Sequence, residues 1–172
     1  MLDLKAHIRT IPDYPKPGIL FYDIGTLLGN GPAWRETVER FSDIVRPLKP
    51  AKLMGIESRG FLMGAALAAH MGLGFAMVRK KGKLPGKTFS RTYALEYGQD
   101  TIEMQEGILN PGEKVVLVDD LLATGGTAAA ALALARQAGV DVIHAAFIIE
   151  LDFLQGRTRL DIPVTSLLHY GE

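Results

Sequence analysis

The apolar positions of this 172-residue chain change their period along its length, and the changes mark alternating strands and helices. Over residues 32–45, Trp34, Val38, Phe41 and Val45 recur at helical spacing, and Pro47 stops the run. Residues 53–56 predict a short strand, and residues 60–70 an apolar, alanine-rich helix closed by Gly72. Residues 75–78 predict the next strand. Residues 92–95 and 101–105 predict the two arms of a hairpin turning around Tyr97-Gly98. The four apolar residues 115–118 predict a strand covered on both faces, followed by a helix from Thr127 to about Gln137 that Gly139 ends. Residues 142–149 predict a further strand, and residues 150–172 read as a short tail packing back onto the core. Such alternation predicts an α/β fold with a parallel sheet. No repeat, low-complexity tract or linker divides the chain, so residues 1–172 are expected to form one domain.

The most informative run follows the 115–118 strand. Two adjacent carboxylates, Asp119 and Asp120, stand at its end, and the turn Ala123-Thr124-Gly125-Gly126-Thr127 leads into the next helix. In a parallel sheet this arrangement delivers a ligand to the carboxyl edge. The glycines let backbone N–H groups approach an anion, and the helix start adds unsatisfied donors and its positive dipole end. Thr124 and Thr127 add hydroxyls. Acids beside a phosphate cradle suit a phosphorylated sugar: the carboxylates accept from ribose hydroxyls and the turn holds the phosphate. The plainer alternative is a crossover whose Asp pair only caps the helix. Neither Gly-x-x-x-x-Gly-Lys-Ser/Thr nor a helix-opening Gly-x-Gly-x-x-Gly is present. Glu57-Ser58-Arg59-Gly60 sits between a predicted strand and helix, a second anion position; alternatively Ser58 is a cap and Arg59 a surface cation.

Composition narrows the chemistry. Lys plus Arg and Asp plus Glu number 19 each, so no overall field favours nucleic acid or an anionic membrane. The absence of cysteine removes disulfides, thiolate metal sites and a Cys nucleophile, and the four histidines show no ligand spacing. Residues 1–14 lack an apolar signal core, and a cytoplasmic location is the expectation. Six basic residues and no acid fall between Arg79 and Arg91, with Gly82, Pro85 and Gly86 among them. That composition predicts a mobile cationic loop suited to a highly charged anion; the aromatic spacing of a nucleic-acid stacking platform is missing.

The 115–130 run resembles the phosphoribosyl-pyrophosphate motif of the type I phosphoribosyltransferases. The likeness extends through Tyr14-Pro15-Lys16-Pro17-Gly18-Ile19-Leu20-Phe21, Ile56-Glu57-Ser58-Arg59-Gly60-Phe61, Arg79-Lys80-Lys81-Gly82-Lys83-Leu84-Pro85-Gly86 and Leu95-Glu96-Tyr97-Gly98, and it is strongest toward the members that use adenine. It implies a twisted, mainly parallel sheet flanked by helices, a small hood from about residues 1–30 and a mobile catalytic loop over about residues 79–106.

The same resemblance implies residue roles. Asp119 and Asp120 hold the ribose hydroxyls; Ala123, Thr124, Gly125, Gly126 and Thr127 cradle the 5′-phosphate; Ser58, Arg59 and Gly60 bind the pyrophosphate in a loop that often carries a non-proline cis peptide. Arg79, Lys80 and Lys83 face the pyrophosphate, and Leu20, Phe21 and Tyr22 pack on adenine. Glu96 is implied as acid or base toward the purine, with a surface hairpin glutamate as the alternative, and Arg59 joins it as a catalytic residue. Phe21-Tyr22-Asp23 stands where the family more often has Phe-Arg-Asp, which removes the arginine contact and leaves backbone readout. The implied reaction is adenine plus phosphoribosyl pyrophosphate giving AMP plus pyrophosphate. Mg2+ is implied as bound through the donor and water, with no all-protein metal site, and a homodimer is implied as the assembly. A transferase for another purine, or a regulator sensing the phosphorylated sugar, are the competing readings.

Overall fold

Val115, Val116, Leu117 and Val118 have no exposed surface, because helices cover both faces of the sheet that contains them. The computed structural model describes residues 2–94 and 98–171. The strands are β1 (Arg9–Ile11), β2 (Phe21–Asp23), β3 (Lys52–Ile56), β4 (Gly74–Lys80), β5 (Thr88–Ala94), β6 (Gln99–Gln105), β7 (Lys114–Leu122), β8 (Asp141–Leu151) and β9 (Val164–Tyr170). The α-helices are α1 (Gly25–Leu28), α2 (Gly31–Val45), α3 (Arg59–Met71) and α4 (Gly126–Gln137). β1 and β2 form a small antiparallel pair, and the other strands make one sheet in the order β5-β6-β4-β3-β7-β8-β9.

β4, β3, β7, β8 and β9 pair in parallel, while β6 runs antiparallel to both β4 and β5. From β3 the chain crosses through α3 to β4 on one side; from β7 it crosses through α4 to β8 on the other. The winding direction therefore reverses between β3 and β7, and their carboxyl ends splay into a crevice. Because successive strand residues point to opposite faces, Leu53, Val116 and Val118 pack with Met63 and Leu67 of α3. Met54, Val115 and Leu117 pack with Ala131, Leu134 and Ala135 of α4. The small α4 residues let that helix lie close to the sheet.

α2 occupies the predicted span, capped by Asn30, whose side chain accepts from the Ala33 amide at 3.0 Å. Its inner face is Ala33, Thr37, Val38, Phe41 and Val45, with Trp34 half-buried at the edge of the stripe.

Three sequence expectations are corrected. The segment 150–172 is not merely a tail: β8 runs on to Leu151 and β9 adds a seventh strand beside it. Only Leu168 in β9 is buried, so the strand lacks the alternation that would have announced it, and Glu150 interrupts the apolar pattern of β8. The cationic segment is shorter than 79–91, because Arg79 and Lys80 pair with Glu103 and Ile102 of β6 and Thr88 already pairs with Gln105. β7 also continues through the two aspartates to Leu122, held by its ladder to Phe147, Ile149 and Glu150 of β8. Among the described residues no helix is long and apolar enough to cross a membrane.

Candidate active site

A cavity of about 640 Å³ opens where β3 and β7 end, lined by Ile56, Glu57, Ser58, Arg59, Lys80, Asp119, Asp120, Leu121 and Thr127. A smaller one of about 90 Å³ adjoins it, lined by Asp119, residues 121–127 and Ala128. The first brings the 57–60 loop and the acidic pair together; the second is the concave side of the glycine turn.

The loop after β3 is anchored at its first residue. The Glu57 amide donates to the Val78 carbonyl, and its carboxylate accepts from both Arg79 Nε and Nη2 (3.2 and 3.1 Å) and from the Lys80 amide (2.9 Å). The Arg79 guanidinium, followed by the Lys80 amide, holds the Glu57 carboxyl below the usual glutamate range. The Glu57–Ser58 peptide is cis. Arg59, the first residue of α3, extends Nε to within 2.7 Å of Asp120 Oδ2 and sets its guanidinium 5.3 Å from the Phe21 ring centroid.

The acids sit in unlike surroundings. Asp120 is 5% exposed and meets Arg59; Asp119 is half-buried and accepts from the Asp120 amide at 2.9 Å. Burial pushes the Asp119 carboxyl well up, and the Asp120 charge adds to it; burial raises Asp120 too, with Arg59 opposing. Desolvated carboxylates with unused lone pairs are strong acceptors for hydroxyl donors. α3 starts so close to β7 that a Cβ on Gly60 would stand 2.5 Å from Asp119 Oδ1 and 3.2 Å from the Val118 carbonyl. Gly60→Ala is therefore expected to cost about 1–3 kcal/mol of stability and to displace the Asp119 carboxylate, seen as a lower melting temperature together with weaker ligand binding.

Beyond β7, Gly125 adopts φ +77° as the cap of α4, and the first-turn N–H groups of the helix have no intrahelical acceptor. Tyr93 of β5 reaches the same place: its hydroxyl lies 3.3 Å from Thr127 Oγ1. A further cavity of about 220 Å³ joins Arg79, Lys80, Tyr93, Asp100 and Thr127.

The predicted residues thus fall into three groups. Ser58, Arg59, Asp119, Asp120, Ala123, Thr124, Gly125, Gly126, Thr127 and Lys80 line the two cavities, and Gly60 lies beside them in the first turn of α3. Arg79 is turned to Glu57 and donates to the Lys83 carbonyl, while the exposed Lys83 belongs to the turn after β4. In the third group Leu20 is 46% exposed and Phe21 lies against Arg59 and Tyr14, whereas the Tyr22 side chain is buried against Tyr170. Glu96 lies outside the described residues. The pairings of Glu57 with Arg79 and of Tyr93 with Thr127 escaped the sequence reading, since nothing in local spacing ties them together.

The phosphoribosyl transferase domain family matches residues 33–169. The chain is 60% identical over 169 residues, covering 98% of this chain and 99% of the other, to the adenine phosphoribosyltransferase of Rhodospirillum centenum. It is similar to the crystal structure of adenine phosphoribosyltransferase from Thermoanaerobacter pseudethanolicus, with a TM-score of 0.95, 43% identity and 98% of each chain covered. The Saccharomyces cerevisiae adenine phosphoribosyltransferase, complexed with adenine and an imino-altritol bisphosphate, aligns with a TM-score of 0.92 at 41% identity, covering 96% of this chain and 97% of the other.

Proposed function

This chain belongs to the phosphoribosyl transferase domain family, and from that premise we propose that it transfers the phosphoribosyl group of 5-phosphoribosyl 1-pyrophosphate to adenine, giving AMP and pyrophosphate in purine salvage. The observation that carries this reading is the meeting of three elements at one sheet edge: the 57–60 loop, the Asp119–Asp120 pair and the 123–127 turn. Their order along the crevice matches the order of pyrophosphate, ribose and 5′-phosphate in the donor.

In this reading the ribose hydroxyls donate to Asp119 and Asp120, and the 5′-phosphate accepts from the N–H groups and hydroxyls of residues 123–127. Amides of the 57–60 loop and the Arg59 guanidinium receive the pyrophosphate, with Lys80 adding positive charge at the cavity and Arg79 and Lys83 adding it from the adjoining strand end and turn. Adenine lies over Phe21, its edge read by the backbone of residues 20–22. The bond from C1′ to the pyrophosphate oxygen breaks as the bond from C1′ to adenine N9 forms. The positive charge that develops on the sugar resembles that of glycoside cleavage. Glu96 is assigned to accept the N9 proton as the new bond forms. Holding base and anomeric carbon in line, with preset charges around the leaving group, supplies the greater part of the acceleration.

Glu57 and Asp120 are each engaged by an arginine, so the donor set fits a Mg2+ ion carried by pyrophosphate oxygens and water rather than caged by protein. When bound there it would neutralise the departing pyrophosphate. Among the described residues, Glu150, Asp152 and His169 are close enough to share an ion, but none of them lines the cavity. A homodimer and a cytoplasmic location belong to the same reading; exposed Leu62 and Met77, on the packed elements α3 and β4, offer apolar surface for a partner subunit.

Assaying purified protein with the donor, Mg2+ and each of adenine, hypoxanthine and guanine tests the proposal. Only adenine should turn over appreciably. Comparable use of hypoxanthine would make this a transferase of broader purine range, and donor binding without turnover of any base would favour a sensor.

A further inference from the structure

Glu150, near the end of β8, is only 2% exposed. Both its oxygens accept from Arg157, at 2.7 Å from Nε and 2.6 Å from Nη2, and Ser166 Oγ on β9 donates to Oε2 at 2.6 Å. This two-pronged pairing is the strong form of a charge-assisted hydrogen bond. Neither Glu150 nor Arg157 lines the donor cavities.

Their role follows from the residue before Arg157. Gly156 is buried although Asp152, Phe153, Leu154 and Gln155 before it and Arg157, Thr158 and Arg159 after it are all exposed. It presses on the back of the 123–127 turn: a Cβ on Gly156 would overlap the Ala123 carbonyl oxygen, and a Cβ on Gly125 would overlap the Gly156 carbonyl. The two backbones are in direct contact, so a shift of the 155–157 segment is passed directly to the turn. That segment is a short surface turn, and the buried Glu150 carboxylate is its charged anchor.

We infer that the Glu150–Arg157 ion pair, completed by Ser166, positions the phosphate-holding turn from behind, making Glu150 and Arg157 positioning residues for donor binding. The inference rests on the reading that the 123–127 turn takes the donor's 5′-phosphate.

Glu150→Gln breaks the fork at nearly constant size by replacing one acceptor oxygen with an amide NH2, and Arg157→Lys keeps the charge but cannot donate in parallel to two oxygens. Each variant and the unaltered protein would be titrated with ribose 5-phosphate and, separately, with pyrophosphate, and their kinetics measured. The expected result is a loss of ribose 5-phosphate affinity of about 10–100-fold in Glu150→Gln, the penalty of misplacing a binding group by about an ångström. Arg157→Lys should give a smaller loss, with pyrophosphate affinity unchanged in both. The KM for the donor should rise more than kcat falls, and the KM for adenine should hold. Ribose 5-phosphate affinity equal to that of the unaltered protein would overturn the inference, as would an equal loss for both ligands, the mark of a general structural defect. Should Glu150→Gln not fold, Arg157→Lys, altered at a half-exposed residue, carries the test. Failure of the unaltered protein to bind ribose 5-phosphate at all would strike instead at the reading of the site itself, and the inference would fall with it.

Discussion

Exchanging both Asp119 and Asp120 for asparagine is expected to weaken phosphoribosyl-pyrophosphate binding by about 10²–10⁴-fold, as loss of two charge-assisted hydrogen bonds worth about 1.5–3 kcal/mol each requires. The fold should survive. Asparagine keeps an acceptor for the Asp120 amide, and the buried like-charge contact disappears. The single change Asp119→Asn should even raise the melting temperature of the ligand-free protein, by about 2–4 °C if it contributes ~1 kcal/mol. The sign follows from the raised carboxyl. A folded-state value above the ordinary one contributes stability below the usual aspartate range and loses it as pH rises through the raised value. The advantage of Asp119→Asn should therefore vanish in acid and grow toward neutrality, whereas donor binding to the unaltered protein should strengthen over the same rise. Calorimetric titration and thermal melting across pH measure both. Undiminished donor affinity in the double variant would remove the pair from the ribose site.

Gly125→Ala is the second large expected effect. Its φ of +77° costs an alanine roughly 1–2 kcal/mol, and the new Cβ would collide with the Gly156 carbonyl, adding about 1–3 kcal/mol of overpacking. The collision is with backbone, so no side-chain rotation relieves it. The 123–127 turn and the 155–157 segment must then part, and donor affinity should fall by about 10²-fold, as for a binding group displaced by an ångström. Adenine affinity, if the base sits at Phe21, should change little. A variant that melts normally and binds the donor normally would show that the turn tolerates this displacement, and the phosphate would have to be held elsewhere.

Much of this could be read from residue order alone. The unbroken apolar run 115–118 predicted a strand buried on both faces, the helix spans over α2, α3 and α4 were correct to within a residue or two, and Glu57-Ser58-Arg59-Gly60 was placed between strand and helix. These are local signals, set by side-chain period, capping and the φ freedom of glycine. β9 and the end of β8 were missed because their polar residues are satisfied by partners distant in sequence. Glu150 breaks the hydrophobic pattern, yet Arg157 and Ser166 make its burial tolerable. The same limit hid the partnership of Glu57 with Arg79, 22 residues apart, and turned Arg79 from a free cation of a loop into the end of a strand.

Residue order by itself determined which chemistry the chain can carry: two neighbouring acids, a glycine-softened turn and a cationic segment, each in a local setting that neighbouring residues enforce. Tertiary structure decided which of these groups meet. Opposite winding of the chain about β3 and β7 opens one crevice shared by the acids, the glycine turn and Lys80 of the cationic segment, gives Asp120 its arginine, turns the Tyr22 side chain against Tyr170 and sets Gly156 behind the 123–127 turn. Those contacts join residues far apart along the chain. They follow from strand order and close packing rather than from any spacing that can be counted.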